Sequence, residues 1–281
     1  MVAAPQEPFR QRLTAAVAEK GSALCVGIDP AAAELPAHLG QGVKAARSFC
    51  LQLIEETGSV AAAFKPNAAF FEALGAGGWE LLREVVQEAS RRALVVVDAK
   101  RGDIGHTAVA YAAAIFDQLG ADACTVNPYL GRDSLRPFLE RQDRMAFVVC
   151  RTSNPGAADL QDLRVAPDGQ PLYLRVAASV AAWASEPPGG TAGLVVGSTW
   201  PEELGRVRKV APELPLLLPG IGAQGGDLEA CVGQLAGSAT PYLISVSRGI
   251  AGASSGPDFA AAAGQAAASF RARIAAAQRA A

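Results

Sequence analysis

The stretch ALVVVDAKRGD, at residues 93–103, joins a short apolar run to a cluster of charges. An apolar run of this length, closed by charged residues, is typical of a buried strand that ends at a polar edge of a sheet. Asp98, Lys100 and Asp103 then place two carboxylates around one lysine where the strand ends. Because an isolated ion is costly to remove from water, these groups need one another. The spacing fits either a structural ion-pair network or a lysine that is held charged and aimed to deliver a proton.

Short apolar runs alternate with helical patterns along the whole chain. Eight strand–helix units predict an α/β fold, a closed parallel (β/α)₈ TIM barrel, with a doubly wound open sheet as the alternative. The predicted helices include Lys44–Thr57, Trp79–Arg92, Thr107–Leu119, Pro201–Val210 and a last helix from about Pro257 to Ala280, in which Pro257 takes the first position. The predicted strands are Ala23–Ile28, Val60–Lys65, Leu94–Asp98, Ala123–Asn127, Met145–Arg151, Gly193–Gly197, Leu214–Pro219 and Tyr242–Ser247.

Length and composition predict one domain over residues 1–281. The chain has 281 residues, of which 50% are hydrophobic, which is enough for one large core. A formal net charge of −2 argues against binding nucleic acid or an anionic membrane through bulk charge. The first twelve residues lack the apolar stretch of a signal peptide, and no apolar run approaches the length of a membrane span. We therefore expect a soluble, cytoplasmic protein.

The five cysteines are odd in number and scattered, and no Cys-x-x-Cys pair occurs. This pattern favours buried, reduced thiols over disulfides or zinc. The two histidines, His38 and His106, lack metal-ligand spacing to another histidine or cysteine, so a zinc site is not expected. We expect His106 to cap or pack rather than to catalyse.

One connection, at about residues 152–190, is unusually long. It is rich in proline and glycine turns, and Leu172–Trp183 within it has a helical pattern. Long loops in compact domains are usually functional or disordered. We expect an active-site insertion here, part of which closes over the site as a lid.

Polar residues follow nearly every predicted strand. In a (β/α)₈ barrel the catalytic groups lie at the carboxyl ends of the strands, so these residues face one mouth. Only five of the 25 basic residues are lysines, yet Lys65 and Lys100 both lie at strand ends. Lysine gives up a proton far more readily than arginine, which favours a chemical reason for this choice.

The segment Gly220–Gly225 matches Gly-x-Gly-x-x-Gly, but it does not predict a dinucleotide fold. It lies late in the chain, and no acidic residue follows at the required distance. Loops after the seventh and eighth strands of such barrels commonly bind phosphate through backbone N–H groups. Arg248, after the eighth strand, adds a bidentate charge partner, so the two loops together predict a phosphate site.

These residues resemble the orotidine 5′-phosphate decarboxylase family. The resemblance runs from about Leu24 to Ile250, and the long segment after Ser153 is similar to the bacterial subgroup with the larger chain, often called type 2. The motifs that carry it are DAKRGDI at 98–104 followed by Thr107 and Tyr111, VGIDP at 26–30, FKPN at 64–67, TSNPG at 152–156, PGIG at 219–222 and SRG at 247–249.

The resemblance implies a homodimeric barrel, with the active site at the interface, that converts orotidine monophosphate to UMP and CO₂ without a cofactor or metal. It implies that Lys100 gives a proton to C6 of the pyrimidine, and that Asp98 and Lys65 complete the charged array in the same subunit. Asp103, Ile104 and Thr107 are expected to reach the partner subunit's site. The remaining implied contacts are Asp29 with Lys65 on the ribose hydroxyls, Ser153 on the pyrimidine edge, and Gln224 and Arg248 on the phosphate with Gly222 nearby.

Three alternatives remain open from the residues. A magnesium-dependent sugar-phosphate enzyme, such as a 3-keto-gulonate-6-phosphate decarboxylase or a hexulose-phosphate synthase, shares Asp-x-Lys-x-x-Asp but carries an acidic metal ligand at the second strand, where this chain has Lys65. A Schiff-base aldolase is disfavoured, because close carboxylates keep a lysine protonated and non-nucleophilic. A phosphate-ligand sensor on a barrel that has lost its activity is disfavoured because no member of the charged array is missing.

Overall fold

The computed structural model describes residues 7–186, 191–222 and 225–281, and these residues form a closed barrel of eight parallel strands. The predicted (β/α)₈ class is therefore confirmed, and the doubly wound alternative is wrong because the first and eighth strands pair. The barrel strands are β1 Leu24–Ile28, β2 Ala63–Pro66, β3 Leu94–Arg101, β4 Ala123–Val126, β5 Met145–Arg151, β6 Ala192–Val196, β7 Leu216–Pro219 and β8 Tyr242–Val246.

The strands follow one another around the barrel in chain order. Cys25 of β1 pairs with Ala63 of β2 on one side and with Ser245 of β8 on the other, which closes the ring. The pairing of β3 with β4 is irregular between Val97 and Arg101, and this bulge lies at the mouth of the barrel. Parallel pairing brings the carboxyl ends of all eight strands to that mouth.

Helices surround the barrel, and their apolar faces pack on the strands. In α4, for example, Leu81, Leu82, Val85, Val86 and Ala89 share one buried face, as their spacing predicts. The helices are α1 Phe9–Lys20, α2 Gly42–Thr57, α3 Ala68–Glu72, α4 Ala76–Ser90, α5 Gly105–Ala113, α6 Arg132–Leu139, α7 Ala158–Gln161, α8 Leu172–Ser185, α9 Pro201–Val210, α10 Leu228–Gln234, α11 Arg248–Ala251 and α12 Phe259–Ala280.

Helix α1 closes the end of the barrel opposite the mouth. Phe9 and Leu13 are fully buried there, and the Phe9 ring meets the Phe147 ring edge-on with centroids 6.1 Å apart. Arg12 binds Asp122 Oδ1 at 2.5 Å, and Asp122 Oδ2 accepts the Val95 N–H. The interior of the barrel is therefore packed and paired at this end.

Three local expectations are corrected by the structure. The last helix begins at Phe259 with Asp258 as its N-cap residue, so Pro257 precedes the helix rather than taking its first position. The predicted helix Thr107–Leu119 is α5 followed by a π-helical turn over Ala114–Gln118. His106 neither packs nor caps a helix, because it is exposed in the first turn of α5 and the N-cap residue of that helix is Ile104.

The long connection after β5 contains more structure than its turn-rich sequence predicts. Helix α8 covers the predicted Leu172–Trp183. Before it lie the short helix α7 and an antiparallel pair of two-residue strands, Arg164–Val165 and Gln170–Pro171. Such short pairing has no periodic signal of its own, which is why the sequence pattern missed it.

All five cysteines are free and buried, as predicted. Burial raises the pKa of Cys25 and of Cys150 to about 12, so these thiols stay protonated and inert near neutral pH. Over the described ranges, no helix has the length and apolar character needed to cross a membrane.

Candidate active site

A cavity of about 320 Å³ opens at the mouth of the barrel, within the size range of small-molecule sites. Its walls come from the ends of strands and from the loops that follow them. Six of the predicted site residues line it, namely Asp29, Lys65, Asp98, Lys100, Ser153 and Arg248. The other lining residues are Asn67, Thr125, Thr152, Asn154, Val195, Leu217, Pro219, Gly220, Ile221, Ser245 and Ser247.

Asp98 is the centre of a charged array on one wall of this cavity. Its Oδ2 accepts a hydrogen bond from Lys65 Nζ at 3.0 Å, and its Oδ1 accepts one from Lys100 Nζ at 2.6 Å. Asp98 and Lys65 are buried, whereas half of the Lys100 side chain is exposed. One carboxylate therefore holds two ammonium groups, and Lys100 is the more exposed of the two lysines that line the cavity.

The charges keep each other ionised. Burial alone raises the pKa of Asp98, but the Lys65 and Lys100 charges and their hydrogen bonds hold it well below its usual range. Burial alone lowers the pKa of Lys65, but Asp98, and more weakly Asp29, hold it above its usual range. The array therefore presents fixed charges to a ligand, which is a requirement for electrostatic stabilisation of a transition state.

The Lys100 backbone is left-handed, with φ +45°, a conformation that costs a non-glycine residue about 1–3 kcal/mol. Lys100 is the only residue other than glycine that has a positive φ in the described part of the chain. It lies in the bulge between β3 and β4, and its N–H donates to Thr125 Oγ1 at 2.9 Å. Strain at this position indicates a conformation that the surrounding structure imposes.

Asp29 lies after β1, beside this array. Its Oδ1 is buried and has no hydrogen-bond partner among the residues the structure describes, so it is free to accept from a ligand. Gly27, two residues earlier, lets Ser247 approach, since a Cβ at Gly27 would lie 1.8 Å from Ser247 Oγ. Gly27 therefore allows β1 and the residue that follows β8 to lie close together.

The glycine loop after β7 and Arg248 after β8 form another part of the cavity wall. Gly220 and Ile221 line the cavity with Arg248, and the described part of the chain offers Arg248 no carboxylate partner. Gly222 lies just beyond the lining with φ +85°, a conformation that favours glycine. Gln224, predicted to bind phosphate, lies outside the described residues.

Ser153 lines the cavity on the side of β5. Gly197 makes room for it, because a Cβ there would lie 2.8 Å from Ser153 N. The neighbouring Thr152 is tied to helix α7, since its N–H donates to Gln161 Oε1 at 2.9 Å. The same Gln161 oxygen lies 3.2 Å from Arg151 Nη1. The Ser153 wall is thus connected to the long segment that the sequence predicts as a lid.

Asp103, Ile104 and Thr107 do not line this cavity. Asp103 caps its own loop, where Oδ1 accepts the Ile104 N–H at 2.8 Å. Ile104 is 57% exposed. Other large apolar residues that are exposed include Val109, Tyr129 and Leu130.

Sequence reasoning missed Asn67 and Thr125 as members of the site. Asn67 lies in the quoted FKPN motif and forms a bridge with Asp98 that joins the ends of β2 and β3. Thr125 is the polar residue in the apolar run of β4, and that polarity was the available signal. The described part of the chain contains no group of three or more histidine, cysteine, aspartate or glutamate side chains that could hold a metal ion.

Comparison with known proteins places this geometry in a family. Residues 22–263 match the model of the orotidine 5′-phosphate decarboxylase / HUMPS family. The chain is 47% identical to an orotidine 5′-phosphate decarboxylase of Herpetosiphon aurantiacus over 93% of this chain and 96% of that protein. It is 48% identical to one of Roseiflexus castenholzii over 97% and 99% of the two chains.

Solved structures of similar fold carry the same family name. The fold matches a putative orotidine-monophosphate decarboxylase of Toxoplasma gondii with a TM-score of 0.87 and 38% identity, over 97% of this chain and 98% of that one. It matches an OMP decarboxylase of Leishmania donovani with a TM-score of 0.83 and 42% identity, over 98% and 100% of the two chains. The chain belongs to the orotidine 5′-phosphate decarboxylase / HUMPS family.

Proposed function

We propose that this protein decarboxylates orotidine 5′-monophosphate to UMP and CO₂ in pyrimidine biosynthesis, without a metal or cofactor. The observation that carries the proposal is the Lys65–Asp98–Lys100 array on the wall of the cavity. Its exposed member is an ammonium that can both stabilise and protonate a carbanion. The full-length relatives of nearly half-identical sequence support this activity over the sugar-phosphate reactions.

In the proposed mechanism the bond between C6 and the substrate carboxylate breaks, and its electron pair stays on C6 as CO₂ leaves. The Lys100 ammonium stabilises the developing charge and then transfers a proton from Nζ to C6. Lys100 is left neutral and regains a proton from water. Asp98 and Lys65 hold Lys100 in place and keep the local charges fixed.

The rest of the cavity binds the nucleotide. Asp29, with its unpartnered buried oxygen, accepts hydrogen bonds from the ribose hydroxyls, and the Lys65 ammonium donates to them. Ser153 contacts the pyrimidine edge, and Arg248 holds the phosphate with Gln224, near Gly222. Because the phosphate lies far from C6, its binding energy can drive closure of a lid from residues 152–190, which raises turnover.

The working form is a homodimer of single-domain barrels in the cytoplasm, and it engages neither nucleic acid nor membrane. The exposed apolar residues Ile104, Val109, Tyr129 and Leu130 supply an interface beside the mouth of the barrel. Through it, Asp103, Ile104 and Thr107 reach the cavity of the partner. Five buried free thiols fit a reducing compartment.

The test is the loss of orotidine monophosphate absorbance with purified, EDTA-treated protein. Rapid conversion to UMP is the expected result. If no conversion occurs, and none appears after magnesium is restored, the proposed reaction is wrong and sugar-phosphate substrates become the next candidates.

A further inference from the structure

The Thr125 hydroxyl lies between two members of the charged array. It accepts a hydrogen bond from the Lys100 backbone N–H at 2.9 Å and donates one to Asp98 Oδ1 at 2.7 Å. Thr125 is 1% exposed, in the middle of β4. The Thr125 oxygen thus accepts from the backbone of Lys100, while its hydrogen is donated to the side chain of Asp98.

The bulge between β3 and β4 creates the need for this hydroxyl. Val97 pairs with Cys124 and Arg101 pairs with Val126, so three residues of β3 face Thr125 alone. The Lys100 N–H in this interval meets the hydroxyl instead of a strand carbonyl. This N–H is partly buried, so leaving it without an acceptor is unfavourable, and it belongs to the residue with a left-handed backbone.

Asp98 depends on the same hydroxyl for its orientation. Its Oδ1 receives both the Lys100 ammonium, at 2.6 Å, and the Thr125 hydroxyl, at 2.7 Å. Only a side chain that accepts and donates at once can satisfy both partners. Valine has the shape of threonine but neither capacity, whereas serine keeps both.

We propose that Thr125 is a positioning residue for the decarboxylation. Its hydroxyl holds the Lys100 backbone in the left-handed conformation and orients the Asp98 carboxylate, and together these aim the Lys100 ammonium at the substrate. The inference rests on the proposed function, because it assigns Thr125 to that same reaction. It predicts a role in turnover rather than in nucleotide affinity.

The test compares Thr125→Val with Thr125→Ser and with the matched control Thr57→Val. Thr57 is fully buried on α2, where its hydroxyl donates to the Leu53 carbonyl, so its replacement removes a buried hydroxyl away from the site. The kcat and KM for orotidine monophosphate, the Kd for UMP and the melting temperature are measured for each protein.

We expect Thr125→Val to lower kcat by about 100-fold, the size of effect that misplacing a reacting group produces, with little change in KM or in UMP affinity. Thr125→Ser should restore most of the turnover. Thr57→Val should lower the melting temperature without changing kcat. If Thr125→Val does not fold, Thr125→Ala is compared with Thr125→Ser in the same assays.

Two results overturn the proposal. Wild-type kcat in Thr125→Val, or in Thr125→Ala, would show that the hydroxyl does not matter for turnover. An equal loss of kcat in Thr125→Ser would show that turnover depends on packing of the threonine methyl group and not on the hydroxyl. If the wild-type protein itself does not convert orotidine monophosphate, the proposed function fails first, and this inference fails with it.

Discussion

The Lys100 ammonium turns back to bind Asp98, two residues earlier on the same strand, at 2.6 Å. Residues two apart on a strand point to one face, so both side chains reach the barrel mouth. Lys100 has a left-handed backbone and lies in the bulge between β3 and β4. The pair presents one exposed ammonium above a buried carboxylate, and the proposed chemistry depends on that arrangement.

Replacing Lys100 by alanine should abolish turnover while UMP binding remains detectable. General acid catalysis by a positioned group contributes about 10²–10⁴-fold, and Lys100 also supplies charge stabilisation, so we expect a loss at the upper end or beyond. Stopped assays of UMP formation and calorimetric titration with UMP check this. The control is Lys209→Ala, which removes an exposed lysine of α9. Near-normal turnover in Lys100→Ala would refute the proton-donor role.

Replacing Arg248 by alanine should raise KM strongly through the loss of the phosphate contact. Hydrogen bonds to charged groups contribute about 1.5–3 kcal/mol, so we expect a rise in KM of about 10–100-fold. The same substitution should matter little for orotidine, the nucleoside that lacks the phosphate. Steady-state kinetics with both substrates check this. An unchanged KM for the nucleotide would exclude Arg248 from the phosphate site.

If Asp103 acts across the interface, inactive Lys100→Ala and Asp103→Ala chains should complement each other. A mixed dimer carries one site that has both native residues, so random mixing should recover about a quarter of wild-type activity in a two-fold dimer. Each variant mixed with itself is the control. The absence of recovery, in heterodimers shown to form, would place Asp103 in its own subunit's site.

Stability should depend on pH at both ends of the range, because the pKa of Asp98 is lowered and that of Lys65 is raised. The Asp98 contribution is fully present above the ordinary pKa of 3.8 and is lost as the pH falls below it towards the lowered value. The Lys65 contribution is fully present below 10.5 and is lost as the pH rises beyond it.

Urea unfolding at a series of pH values measures this effect. The free energy of unfolding should fall below pH 4 more steeply in the wild-type protein than in a Lys65→Met, Asp98→Asn double variant. The control is an Arg47→Met, Glu84→Gln variant, which removes a more exposed ion pair. Equal acid slopes in the wild-type protein and the Lys65–Asp98 variant would contradict the expected linkage.

Replacing Arg151 by methionine should destabilise the protein and loosen the segment after β5. The guanidinium is buried between the Tyr173 and Trp200 rings, at 5.6 and 4.9 Å, and it binds Gln161 and Asp162 of the α7 segment. We expect a loss of about 2 kcal/mol in the free energy of unfolding, since cation–π contacts are stronger when desolvated.

The matched control for Arg151 is Arg206→Met. Arg206 also lies 5.6 Å from the Tyr173 ring but is exposed, so its removal should cost less. Urea unfolding and limited proteolysis near residues 152–163 measure the two effects. A smaller loss in Arg151→Met than in Arg206→Met would contradict the role of burial.

Much of the architecture could be predicted from local patterns. Apolar runs such as Leu94–Asp98 and Met145–Arg151 lie where strands lie, because burial on both faces requires continuous apolar sequence. Helix α9 begins and ends where predicted, since Pro201 at its start and basic residues in its last turn are strong local signals. The start of α12 was missed because proline also fits the turn before a helix.

The sequence by itself determined which residues carry charge at the strand ends, including Asp29, Lys65, Asp98 and Lys100. Strand ends are readable because apolar runs stop there. Only the tertiary structure decided that Lys65 and Lys100 take opposite oxygens of Asp98 and that Thr125 lies between Lys100 and Asp98. Lys100 and Asp98 are two positions apart, but the contacts of Asp98 with Lys65 and of Thr125 with Lys100 and Asp98 join residues 25 to 33 positions apart. They depend on barrel closure and on a bulge in the pairing of β3 with β4, and non-local register of this kind leaves no periodic trace in the chain.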